Sequence, residues 1–185
     1  MTKSAFYTAK GDGGETGRLG SHARVAKSGP LVEAIGALDE ATSAIGMARA
    51  LATSDRLRHT LPVVQRHLID LMAHLSAAPD ARSRFAGVTE QDLTWLGELI
   101  ADLEKGLPPL VDFVLPGDCH PGSALHVART VVRRAERRVV ALAEEETGIG
   151  KTNLAYLNRL SSLLFVAALH ERALHEDAQS STPSA

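Results

Sequence analysis

Between residues 122 and 146 the apolar positions fall at Leu125, Ala128, Val132, Ala135, Val139 and Leu142, three and four residues apart in alternation. At about 100° per residue this interval keeps all six on one side of a helix, whereas a strand needs strict alternation. The same interval recurs along most of the chain, so the fold class is all-α, a bundle of five helices. The first is predicted over 30–51, opened by Pro30 and carrying Val32, Ile35, Leu38, Thr42, Ile45 and Ala48 on one face. Ser54 is placed to cap the second, which runs to about residue 77 on Leu57, Leu61, Val64, Leu68, Leu71 and Leu75, with Pro62 shortening or bending its start. Thr89 caps the third, on Leu93, Leu96, Ile100 and Leu103, and Gly106 ends it. The fourth covers 122–146 with Gly148 as its C-cap, and the fifth covers 152–175 with Thr152 as its N-cap.

A chain of 185 residues suits one domain with its own core. It divides into a Gly-rich segment over 1–28, the bundle over 29–176, and a polar tail over 177–185 expected to be disordered. The formal net charge of −2, with both signs interspersed, offers no basic surface for a run of phosphates, so no nucleic-acid partner is expected. One cysteine, Cys119, forms no internal disulfide, which fits a reducing, cytoplasmic compartment. No run approaches the roughly 18 apolar residues of a membrane span, so a soluble protein is expected. Residues 106–121 hold too many prolines and glycines for a helix, yet Val111, Phe113, Val114 and Leu115 are too apolar for an idle loop. The segment is expected to line something.

Four features could carry chemistry. On the fourth helix Arg129, Arg133, Glu136 and Arg137 share one flank of the apolar stripe, while Arg134 and Arg138 point elsewhere. Such a flank suits a polyphosphate, because each guanidinium is a permanent, bidentate fork, but it equally describes a solvated face with i,i+4 pairs. On the first helix Asp39 falls on the apolar side and needs a partner; Arg129 is the candidate, within the chain or across a subunit interface, unless Asp39 merely sits at the stripe's edge. The glycines after Thr8, with Lys10, Arg18 and Lys27, make either a phosphate-binding loop or a mobile arm. Asn158 shares a face with Phe165 and is expected to be partly buried, as a structural amide or a ligand. Two other patterns are discounted. Gly148-Ile-Gly-Lys-Thr lacks the first glycine and the strand of a P-loop, and His67 and His74 lack a third ligand for zinc, so packing or surface roles are expected.

The order of several blocks resembles the PduO-type ATP:cob(I)alamin (corrinoid) adenosyltransferases over about residues 6–172. They are Tyr7-Thr, Gly11-Asp, Val32-Glu-Ala, Leu38-Asp-Glu, Phe113-Val-Leu-Pro-Gly, Leu125-His-Val-Ala-Arg, Arg133-Arg-Ala-Glu-Arg and Tyr156-Leu-Asn-Arg-Leu-Ser. The resemblance implies a homotrimer of five-helix bundles with active sites between subunits, and an Asp39–Arg129 contact across that interface. It implies transfer of the 5′-deoxyadenosyl group of ATP to the cobalt of reduced cobalamin, with Mg²⁺ accompanying the nucleotide and no side-chain metal cluster. Arg133, Glu136 and Asn158 would be catalytic. ATP would contact Thr8, Lys10, Gly11, Asp12, Gly17, Arg18, Lys27 and Arg137, with Arg134 as an addition, and Phe113 would lie on the corrinoid side and displace cobalamin's lower ligand. A cobalamin reductase or an adenosylcobalamin-dependent enzyme is the implied partner.

The chain departs from the family pattern near these ligands. Where the family carries Thr-Gly-Asp-Lys-Gly, this chain has Lys10-Gly-Asp-Gly-Gly, so Gly13 replaces a lysine; Asp118 replaces a glycine and Ser162 an aspartate. The alternative function is therefore a divergent paralogue that binds corrinoid or nucleotide without transfer.

Overall fold

The computed structural model describes residues 9–181. A short antiparallel hairpin, β1 (Glu15–Gly17) and β2 (Arg24–Ala26), precedes five helices: α1 (Pro30–Leu51), α2 (Asp55–Ser76), α3 (Glu90–Glu104), α4 (His120–Glu145) and α5 (Lys151–Ser180). A single 3-10 turn over Arg82–Arg84 lies between α2 and α3. The helices neighbour one another in the order α2, α1, α4, α5, α3, so α4 is central, flanked by α1 and α5.

The three-four interval explains the core. All six leucine and valine positions expected on α2 are fully buried, as are those on α4, where Leu142 alone keeps 2% exposure. On α1 the buried stripe is Leu31, Ala34, Ala37, Leu38, Ala41, Ile45 and Ala48. Small side chains at Ala34, Ala41 and Ala48, facing a helix that itself carries Ala128 and Ala135, let α1 and α4 approach closely. Val32, Ile35 and Thr42 lie at the edge of that stripe, half-buried. Pro62 sits inside α2 without shortening it, since the helix still starts at Asp55 with Ser54 accepting from the Leu57 amide. Thr89 and Asp92 form a reciprocal capping box at α3.

The structure corrects the helix ends. The N-cap of α5 is Gly150, and the Thr152 hydroxyl instead donates to Glu90 Oε1 at 2.5 Å. α5 also runs five residues past His175, over part of the expected tail, held by an Arg172–Glu176 pair at 2.7 Å and a Gln179–His175 contact at 2.9 Å. Glu171, a fully buried carboxylate on α5, accepts hydrogen bonds from the backbone amides of Thr53 (3.0 Å) and Ser54 (3.0 Å) and from the Thr53 hydroxyl, tying α5 to the α1–α2 turn. No helix among the described residues is long and apolar enough to cross a membrane.

Candidate functional site

Antiparallel packing of α4 on α5 sets a register in which Glu136 lies opposite Asn158, Arg133 opposite Ser161 and Ser162, and Arg129 opposite Phe165. Asn158 Nδ2 donates to Glu136 Oε1 at 3.0 Å. This amide is exposed, contrary to expectation, because a position one turn-fraction from Leu157 and Ser161 rotates it off the core and onto the groove. Arg137 donates to the Arg133 carbonyl at 3.0 Å, folding its guanidinium back along the helix. Arg133 is exposed, and no hydrogen bond or ion pair occupies its guanidinium among the described residues. The Arg134 and Arg138 side chains turn to the other flank and pair with Glu40 and Glu33 on α1, the latter at 3.3 Å.

Beside these residues is a cavity of about 450 Å³, walled by Leu107, Leu110, Phe165 and Val166 and opened on its polar side by Arg129, Arg133 and Ser162. It continues into a second of about 670 Å³ that adds Val111, Phe113 and His126, sizes in the range of small-molecule sites. The apolar segment after α3 does line something. Phe113 is 103% exposed, Val111 89% and Leu115 79%, so Phe113 is no core aromatic but the rim of a depression. His126, stacked edge-on against Phe165, presents a buried Nδ1 with no partner. Burial pushes its pKa below the usual histidine value, the Arg129 charge adds to this and Asp118 opposes it, so the neutral form of the imidazole facing the cavity is favoured. Arg129 Nε is likewise buried and unpartnered.

Asp39 is exposed on α1 and makes no hydrogen bond or ion pair among the described residues. The within-chain Asp39–Arg129 pair is therefore not formed.

The Gly-rich segment resolves into a hairpin, a form that neither expectation for it included. Residues 9–14 make a tight turn through Asp12 N to Ala9 O (3.3 Å) and Gly14 N to Gly11 O (3.2 Å), and the Lys27 amide closes on the Gly14 carbonyl at 2.9 Å. A Cβ on Gly11 would stand 3.0 Å from Lys27 Nζ, so Gly11, Asp12 and Lys27 share one mouth of the hairpin, with Lys10 exposed beside it and Gly17 exposed at the far end of β1. Thr8 lies outside the described residues. Arg18 is different: its guanidinium is bonded to both Glu146 oxygens at 3.0 and 3.1 Å and to the Ala77 carbonyl at 2.9 Å.

The discounted patterns have structural roles. His67 contacts the Tyr156 hydroxyl at 2.9 Å and Asp92 at 3.3 Å, and His74 lies between the carbonyls of Phe85 and Gly148. Gly148 follows α4 with φ of 87°, in the left-handed region glycine tolerates. Among the described residues no three His, Cys, Asp or Glu side chains converge to hold a metal ion. Sequence reasoning missed Ser161, Phe165 and His126 as groove residues. The α4–α5 register could have found Phe165, since it follows Asn158 by two turns just as Arg129 precedes Glu136 by two.

The family model described as cobalamin adenosyltransferase matches residues 6–171. The corrinoid adenosyltransferase PduO of Salmonella typhimurium is 37% identical over 170 residues, covering 90% of this chain, which spans about half (49%) of that protein. The corrinoid adenosyltransferase of Bacillus subtilis is 39% identical over 167 residues, 88% of this chain and 84% of the relative. Among solved structures, a variant of the PduO-type ATP:corrinoid adenosyltransferase of Lactobacillus reuteri complexed with cobalamin and ATP superposes with a TM-score of 0.84 at 36% identity, covering 92% of this chain and 94% of that one.

Proposed function

The chain belongs to the cobalamin adenosyltransferase family, and from that premise we propose that it moves the 5′-deoxyadenosyl group of ATP onto the cobalt of reduced cob(I)alamin, releasing triphosphate. The observation that carries this reading is the α4–α5 groove, where Arg133 has no partner among the described residues and Asn158 is held by Glu136, beside an apolar cavity rimmed by Phe113.

Co(I) is a strong enough nucleophile to attack C5′ without a general base, so the protein has to align the reactants and stabilise the departing polyphosphate. Arg133, Arg137 and Lys27 are suited to spread the leaving charge, Arg133 through an unoccupied guanidinium fork. Glu136, by accepting from Asn158 Nδ2, leaves the Asn158 carbonyl oxygen free to receive a hydrogen bond from the nucleotide. Gly11, Asp12 and Gly17 bring backbone and carboxylate groups to the same ligand, and His126 and Phe113 face the corrinoid side. Because no cluster of ligating side chains exists among the described residues, a Mg²⁺ ion would arrive on the ATP phosphates, and no step here depends on it.

The assembly proposed is a trimer with the site between subunits. Two observations support it: Asp39 and Arg129 are each unpaired among the described residues, and Glu146, where the hairpin docks, lies about 20 Å along α4 from Arg133 at 1.5 Å per residue. A neighbouring copy can bring a hairpin mouth to a groove that its own chain does not reach. The single cysteine, Cys119, is buried and free, which suits the cytoplasm, and a reductase supplying Co(I) is the partner this chemistry requires.

The test is an anaerobic assay with ATP, Mg²⁺ and chemically reduced cobalamin, following the spectral change from Co(I) to alkylated Co(III). Turnover is expected and should vanish in Arg133→Ala. A wild type that binds both ligands without turnover would make the chain a binding paralogue, and the changes at Gly13 and Ser162 the place to look for the reason.

A further inference from the structure

The hairpin strands rest on the bundle through Val25, and three contacts fix the loop that joins them. Leu19 pairs with Ala77 in a parallel bridge, its amide reaching the Ser76 carbonyl and its carbonyl the Ala78 amide, both at 3.0 Å. Gly20, with φ of 73°, lies so near Ala81 that a Cβ would collide with it. The third contact is ionic. Glu146, the C-cap residue of α4, receives Arg18 through both oxygens and Arg82 at 2.8 Å, while Arg82 also reaches the Thr147 carbonyl at 2.5 Å.

Both guanidiniums are withdrawn from water, with side-chain exposures of 12% for Arg18 and 6% for Arg82, and each has an unpartnered buried Nε. Glu146 is the carboxylate paired with both, aided by the carbonyls at the negative end of α4 and by the Ala77 carbonyl. Two buried like charges around one carboxylate make that carboxylate the keystone: without it they repel each other in a poorly solvated place.

Arg18 directly follows Gly17, the last residue of β1. From there a three-residue strand spans about 10 Å to the mouth holding Gly11, Asp12 and Lys27. We propose that Glu146 is a positioning residue for the nucleotide: by holding Arg18 and Arg82 it fixes the hairpin's loop on the bundle and so sets where the mouth stands. The inference rests on the reading of that mouth as part of the ATP site. It also gives Arg18 a role through the hairpin rather than on the phosphates, since its fork is already occupied by Glu146.

The experiment uses the full chain, below its melting transition, in wild-type, Glu146→Gln and Glu146→Asp forms. KM for ATP, KM for cob(I)alamin and kcat are measured, together with amide hydrogen exchange over residues 9–27. Glu146→Gln is expected to raise KM for ATP about tenfold and speed exchange in the hairpin, leaving KM for cob(I)alamin and kcat at saturating ATP within about twofold; Glu146→Asp should restore part of both. An unchanged KM for ATP in an active but less stable Glu146→Gln protein overturns the inference alone, leaving the network as a structural clamp. A wild type without measurable ATP affinity by calorimetry overturns the functional reading itself, and the inference with it.

Discussion

Two regions along α4 use the same residue types to opposite ends. At its C-terminus Arg18 and Arg82, both largely withdrawn from water, spend their terminal guanidinium nitrogens on Glu146 and on nearby carbonyls, each keeping a buried Nε without a partner. Midway along it, Arg133 is exposed with its fork unoccupied, and the Glu136 carboxylate is engaged by a neutral amide rather than a guanidinium. An arginine whose terminal nitrogens are already engaged is suited to stability; one whose guanidinium is unoccupied is suited to binding. Residue identity does not separate the cases, and only the count of satisfied donors does.

Substitutions at the two places should therefore divide between activity and stability. The largest effect is expected for Arg133→Ala, which should lower kcat/KM by about a hundredfold or more, on the order of 3 kcal/mol of transition-state stabilisation, while urea unfolding stays near wild type. A comparable loss of folding stability would erase the distinction. Glu146→Ala should show the reverse emphasis, destabilising by roughly 2–3 kcal/mol in urea titrations, below the 3–5 typical of a fully buried pair because Glu146 keeps 24% exposure.

The pH dependence has a definite sign. Burial pushes the Glu146 carboxyl pKa up, but hydrogen bonds from Arg18 and Arg82, and their charges, outweigh this and hold it below its ordinary value. Its contribution is thus fully present above the unfolded carboxylate pKa and lost as pH falls through the lower, folded value. Wild-type stability should drop in acid more steeply than that of Glu146→Gln, and parallel curves would exclude Glu146 as the source. A smaller effect, about tenfold in KM for ATP with little change in melting temperature, is expected for Asn158→Ala, read by steady-state kinetics. Arg138→Ala is expected to cost no more than about 0.5 kcal/mol, because the Arg138–Glu33 pair is half-exposed on both sides.

The long helices and their cores were legible because periodicity is local and repeated: Leu57 to Leu75 and Leu125 to Leu142 announce which side is buried. The hairpin was not, since two strands of three residues each, mostly glycine and polar, offer no alternation to read. On α4 the flank of Arg133, Glu136 and Arg137 could be drawn from the helical angle alone. Asn158 lies on the helix the pattern predicts but is exposed rather than partly buried, because a groove between helices lies only a fraction of a turn from the core. Glu146 had no such pattern: its partners Arg18 and Arg82 are separated from it by 128 and 64 residues, and nothing local marks a carboxylate as the centre of so distant a pair. Phe113 read correctly as unusual, but apolarity in a proline-rich loop cannot tell a core plug from an exposed rim.

The buried Glu171 also gives the bundle an order in time. The amides of Thr53 and Ser54 at the start of α2 are satisfied by a carboxylate as many as 118 residues downstream. A ribosome adding about 5–20 residues per second needs roughly 6–24 s to cover that interval, so the turn leaving α1 waits with open donors while three more helices emerge. The α1–α2 corner of a newborn chain therefore stays open until α5 is made.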